Sequence, residues 1–247
     1  MTDKPESARD ILDAVFSTAF AEPNAERVVL EQSPSYGEIF DFVALLSNEP
    51  SEEELQSFIS SHPRLLMGLF GFCDDSILAV IAKPNIGGHF FADFGALLFG
   101  QGGCTVALVE LEPVNARIFT KRLSPARRYQ QSIAQVQEWN DWIRRNMRTF
   151  VDDIVKAGMR LPLFPETSHN GSFRTKPSQY IHNTWDGFEG FDDPYILNTI
   201  VIGRWSKLSS EERARFISNN RHNSKLYQTY TYEQMIRRGI ERPYGKW

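Results

Sequence analysis

The run Phe90-Phe91-Ala92-Asp93-Phe94-Gly95-Ala96-Leu97-Leu98-Phe99 is apolar enough to be an inner strand, yet it contains one carboxylate. A strand buried on both faces reads as such a near-continuous hydrophobic run. A lone acid inside it is costly unless it is paired, hydrogen-bonded or held on a metal. After Gln101-Gly102-Gly103 comes a second apolar run, Val106 to Leu111, which ends in Glu110-Leu111-Glu112. Side chains alternate along a strand, so Glu110 and Glu112 leave it on the same face. If the two runs lie side by side, three carboxylates converge and repel one another unless they are protonated or neutralised by a cation. The spacing alone also fits strand-end acids that face solvent.

The remaining punctuation places these runs in an α/β chain. Ser51-Glu52-Glu53-Glu54 has the form of a capping box and opens a helix with Leu55, Phe58 and Ile59 on one face, ended by His62-Pro63. Ser76 to Ala82, His89 to Phe99 and Thr105 to Leu111 form a three-stranded meander. Ser124-Pro125 predicts the N-cap and first residue of a long helix whose stripe is Tyr129, Ile133, Val136, Trp139, Ile143, Met147 and Phe150. Asn198 to Gly203 reads as a strand, Ser209 with Glu212 caps a helix to about Asn220, and Lys225 to Tyr230 reads as a last strand. Residues 1–47 are expected to form an N-terminal helical extension, with a helix from Ser7 to about Phe20, a turn at Pro23-Asn24 and an apolar element from Ile39 to Leu46. Residues 48–247 form the main domain, interrupted by an irregular Pro-, Gly-, Asn- and Ser-rich insertion at about 158–194.

Composition narrows the class. A chain of 247 residues, 41% hydrophobic and 23% charged, can bury a full core and is neither disordered nor fibrous. The acidic, polar start lacks the pattern of a secretory signal, and the longest apolar stretches fall well short of the roughly 20 residues of a membrane span, so a cytoplasmic chain with no membrane partner is expected. Cys73 and Cys104 give no zinc pattern and are expected as small buried residues. No pair of the five histidines has zinc-helix spacing, so structural roles are expected for them. A net charge of −4 argues against broad nonspecific nucleic-acid binding but leaves room for a local basic surface.

Oxygen-only ligands suit Mg²⁺ or Mn²⁺, which bind one or two carboxylates, water and a substrate phosphate. Metal coordination lowers the pKa of bound water, and a nearby carboxylate accepts its proton, so the acids fit phosphodiester hydrolysis. A glycosidase, which also uses two carboxylates, is an alternative from the residues alone.

Asp93 followed by Glu110-Leu111-Glu112 resembles the D…(D/E)xK core of restriction-endonuclease-like enzymes, and the order α-β-β-β-α-β matches theirs. More specifically, the chain is similar to the nuclease domain of Shedu anti-phage defence proteins. The likeness lies in Glu54 to Leu66, His89 to Phe94, Val109 to Pro113, Ser132-Ile133-Ala134-Gln135 with Trp139, Trp142 and Asn146, Val201 to Arg204, and Thr229 to Ile236. It implies a PD-(D/E)xK fold with a mixed sheet flanked by helices. It also implies Mg²⁺-dependent cleavage of DNA, with Asp93, Glu110 and Glu112 as metal ligands, no organic cofactor, and a homo-oligomer. The usual lysine of the third position is Glu112 here, which keeps a catalytically inactive binding or sensor module as the rival reading.

The resemblance also points to Glu54 as an accessory acid on the first helix, although Glu54 equally completes the Ser51 capping box. It points to Gln135 as a group orienting phosphate or metal-bound water, with Gln131 one turn earlier on the same helix face. Trp139 and Trp142 are expected in the core, and Arg204 in a structural role. Lys121, Arg122, Arg127 and Arg128 follow Glu112 closely enough to meet a DNA backbone, or else form a solvated helix start.

Overall fold

The computed structural model describes residues 34–70, 76–100, 103–162, 172–174 and 194–241. The expected helix at 7–20, the turn at Pro23-Asn24, Cys73 and most of the 158–194 insertion lie outside the described residues. Among the described residues no helix is long and apolar enough to cross a membrane.

Helices α1 (Tyr36–Ser47) and α2 (Glu52–Ser61) each begin with a capping box, Ser35 with Glu38 and Ser51 with Glu54. A 3-10 stretch, Pro63–Leu69, follows. Strand β1 (Ser76–Ala82) leads into a two-stranded hairpin, β2 (Asn85–Ile86) and β3 (Phe90–Phe91), then β4 (Phe94–Gly100) and β5 (Gly103–Leu111). Helices α3 (Arg127–Arg145) and α4 (Met147–Met159) cross over to β6 (Phe173–Arg174) and β7 (Tyr195–Val201). Helix α5 (Ser210–Asn223), β8 (Gln228–Tyr230) and α6 (Tyr232–Glu241) complete the order.

The main sheet has the order β6-β1-β4-β5-β7-β8. The β1, β4, β5 meander is antiparallel, whereas β7 pairs parallel to β5 and β8 parallel to β7. Parallel pairing requires a long crossover, which α3 and α4 begin. Side-chain alternation divides the interior into two cores. Val109 and Leu111 join Phe42, Leu55, Ile59 and Tyr232 on one face. Val106 and Leu108 join Tyr129, Val136, Trp139 and Ile143 on the other. Helices therefore flank a mixed sheet, as the sequence predicts for an α/β nuclease-like core. Helix α1, drawn from the expected extension, packs in the same core as α2 through Ile39, Phe42, Val43 and Leu46.

Several local expectations change. Ser124 is not the cap of α3, because it belongs to a turn in which Thr120 N donates to Ser124 O at 2.8 Å and Phe119 bridges Pro125. The helix starts at Arg127, after Ala126. The expected single helix through Phe150 breaks at Asn146, whose Nδ2 donates to Trp142 O at 2.9 Å and whose φ of −131° leaves the helical region. A side-chain amide that competes for backbone partners can end a helix while the apolar stripe continues. The strand expected at His89–Phe99 divides at Asp93, giving the hairpin strand β3 and the sheet strand β4. The strand expected at Asn198–Gly203 runs instead from Tyr195 to Val201, the strand expected from Lys225 begins at Gln228, and α6 is an additional helix. Two glycines permit close backbone approach. A Cβ on Gly68 would lie 2.2 Å from Gly239 N, and one on Gly203, whose φ is +62°, would lie 2.8 Å from Ala116 O.

Candidate functional site

The alternation that puts Leu111 in the first core sends Glu110 and Glu112 toward α3. On α3, Arg128, Ser132 and Gln135 follow the i, i+4, i+7 spacing of one helix face. Ser132 Oγ donates to Glu112 Oε1 at 2.6 Å, and the Gln135 side chain faces Glu110 and works against the upward shift of its carboxyl. Asp93, just before β4, is fixed through its backbone, because Asp93 N donates to Val109 O at 3.0 Å. Its Oδ2 accepts from Leu111 N and its Oδ1 from Gln56 Nε2, both at 2.8 Å. Gln56 comes from α2, which packs in the opposite core, so both helical layers meet at this end of the sheet.

One turn before Gln56, Glu52 Oε2 lies 3.8 Å from Arg128 Nη1, which is also 3.7 Å from Glu112 Oε2. The Tyr232 hydroxyl, fully buried, donates to Glu112 O at 2.6 Å and ties α6 to the same strand end.

These acids lie close enough to disturb one another. Burial pushes Glu110 up from its ordinary 4.5 to about 9, reinforced by the charges of Asp93, Glu112 and Glu52. Burial likewise raises Asp93 from 3.8 to about 6, against the Leu111 N–H and the Lys83 charge. Glu112 is raised by burial despite Ser132 and Arg128. Its Oε2 is buried and has no hydrogen-bond partner. Such an atom typically costs about 1–3 kcal/mol, and a cation would relieve both the orphaned oxygen and the repulsion.

The donor set is all hard oxygen, which suits Mg²⁺ or Mn²⁺. Among the described residues no group of three or more His, Cys, Asp or Glu side chains is placed to hold a metal ion as it stands, so the carboxylates would have to draw together around one. A carboxylate has about four lone-pair sites, so the two hydrogen bonds on Asp93 leave it able to accept a further partner.

The structure thus brings together Asp93, Glu110, Glu112 and Gln135. It does not bring Glu54, whose Oε2 accepts from Ser51 N at 2.7 Å and Ser51 Oγ at 2.8 Å, so that this carboxylate serves the cap and is fully exposed. The α2 acid that faces the site is Glu52. Gln131 is exposed on α3. Of the basic group, Arg128 turns toward the acids, while Lys121 and Arg122 sit exposed in the Thr120–Ser124 turn and Arg127 is exposed at the start of α3. Sequence reasoning missed Glu52, Gln56, Ser132 and Tyr232. A signal existed for the first two, which stand one turn apart beside the buried Leu55–Ile59 stripe. Trp139 is fully buried and Cys104 is buried, its thiol pushed up to about 12 by burial.

The family model of the Shedu protein SduA, C-terminal, matches residues 49–236. That span begins just before α2 and takes in every side chain of the site described above. No curated protein matches the chain.

Proposed function

We propose that this chain, which belongs to the family of the Shedu protein SduA C-terminal region and thereby to an anti-phage defence context, is a divalent-metal-dependent nuclease that hydrolyses DNA phosphodiester bonds. The observation that carries this reading is the meeting of Asp93, Glu110 and Glu112 at one sheet end, with Glu110 pushed to about 9 and Glu112 Oε2 left without a donor.

Asp93, Glu110 and Glu112 would hold Mg²⁺, which supplies a lowered water pKa and charge stabilisation on the phosphoryl oxygen. The protein's own groups supply the rest. Ser132 fixes Glu112 through Oε1, leaving Oε2 as the oxygen that would face the cation. Gln135 orients Glu110, and Gln56 with Leu111 N orients Asp93. Arg128, between Glu52 and Glu112, offsets negative charge where the usual lysine is missing.

Purified protein incubated with linear and supercoiled DNA is expected to cut with Mg²⁺ or Mn²⁺ and not with EDTA. Cleavage that persists in EDTA, or that survives Asp93→Asn and Glu110→Gln unchanged, would falsify the assignment. The second reading, an inactive DNA-binding module, draws support from the engagement of both Asp93 oxygens and from Glu112 in place of lysine. Binding without cutting under every divalent cation would favour it.

A further inference from the structure

Beyond the acids lies a separate cleft of about 350 Å³, lined by Arg117, Arg204, Lys207, Glu49 and Glu212 among others. Arg204 is 8% exposed. Its Nε bonds Glu233 Oε1 at 3.2 Å, but its Nη2 is buried without any acceptor. Glu233 cannot supply one more cheaply, because it already accepts from Trp205 N, Ser206 N and Ser206 Oγ as well. Arg204 lines the cleft, and a guanidinium N–H without an acceptor at such a wall is matched by an oxyanion.

We infer that this cleft seats a backbone phosphate of the same polynucleotide whose neighbouring phosphodiester lies at the acidic site. The inference rests on the function proposed above. Three features select this ligand. Arg117 and Lys207 add two exposed cations to Arg204. Two acids share the lining, Glu49, which is exposed, and Glu212, whose Oε2 accepts from Ser209 N at 2.9 Å. Their presence disfavours a multiply charged anion and suits the single charge of a phosphodiester. The location is the third. Val114 lines the cleft two residues after Glu112, so the two Cα atoms are at most about 7 Å apart, the reach of two extended residues. Successive phosphates of one strand advance about 3.4 Å along the helix axis, so a strand at Glu112 brings a near neighbour to this cleft. Both Glu112 and Arg204 follow the carboxyl ends of the parallel pair β5 and β7, where open α/β sheets take their ligands.

The test uses the full chain and the double variant Arg117→Gln/Lys207→Gln, which changes only exposed side chains. Thermal melts with dimethyl phosphate or inorganic phosphate, at fixed ionic strength, read the cleft directly. Wild-type Tm is expected to rise more with dimethyl phosphate than with inorganic phosphate, and that of the double variant to rise far less with either. Binding of a labelled duplex in EDTA, followed across salt, reads the polynucleotide. The double variant is expected to bind about tenfold more weakly, with a log K against log salt slope shallower by about one. Equal phosphate-induced shifts in both proteins would overturn the site. A lost phosphate shift with an unchanged salt slope would overturn the strand assignment and mark a seat for a free phosphoryl ligand. Should wild type bind duplex with the expected slope yet cut nothing under any divalent cation, the nuclease reading fails and the phosphate seat stands.

Discussion

Two carboxylate sites stand past the ends of adjacent parallel strands and are built in opposite ways. Past β7, Glu233 receives Arg204 Nε, Trp205 N, Ser206 N and Ser206 Oγ, so that its charge is fully answered by the protein. Past β5, the Glu112 carboxylate accepts a hydrogen bond only from Ser132 Oγ, and its other oxygen has no hydrogen-bond donor, only the Arg128 charge at 3.7 Å. Glu110 is raised to about 9 among neighbours of its own sign. The first arrangement holds a fold together, and the second asks for something the chain does not contain. Saturation by donors, rather than burial, separates a structural carboxylate from a candidate functional one.

The largest effect is expected on activity. Asp93→Asn or Glu110→Gln is expected to lower DNA cleavage at least about a hundredfold, as removal of a charge-stabilising group does, while circular dichroism stays native. Next in size is the structural acid. Glu233→Ala leaves Arg204 buried and unpaired and is expected to cost about 3–5 kcal/mol in denaturant unfolding. A loss no larger than that of an exposed acid would erase the distinction between the two sites. Gly203→Ala combines a left-handed backbone with a 2.8 Å approach to Ala116 O, and is expected to cost about 1–3 kcal/mol.

Stability against pH sharpens the same contrast. Glu110 titrates near 4.5 when unfolded and near 9 when folded, and Asp93 near 3.8 and 6. Between those values the folded chain binds more protons, so stability falls as pH rises. The contribution is complete below about 4 and lost by about 9. Metal-free Tm is therefore expected to decline from pH 5 to pH 9. Glu110→Gln should flatten the upper part of that decline and raise Tm at pH 8 by a few degrees, equivalent to about 1 kcal/mol for a chain of this size. Saturating Mg²⁺ should flatten it as well, and an unchanged profile with the cation would count against a shared ion. The smallest effect is expected from Glu54→Gln, which weakens the α2 cap slightly and leaves cleavage as it was. Glu52→Gln, by contrast, should alter cleavage.

What the sequence made legible was whatever rests on local rules. The boxes at Ser51 and Ser209 read correctly because the cap and its partner are three residues apart. The convergence of Asp93 with Glu110 followed from a short turn between two apolar runs, which leaves an antiparallel neighbour as the simplest pairing. Features decided by packing were hidden. Glu52 and Glu54 differ by two positions, and only the docking of α2 through Leu55 and Ile59 decides which of them faces the sheet. Asn146 ends α3 by bonding Trp142 O, although the stripe through Phe150 runs on as if unbroken. The Arg204–Glu233 pair joins residues 29 apart, beyond any local pattern.

The alignment of β5 on β7 sets Glu110 opposite Ile200, with Glu112 N bound to Val201 O. A slip of one residue would turn Leu111 toward α3 and drive both glutamates into the apolar layer on the opposite face. Correct registration of the sheet and assembly of the acids are thus a single event.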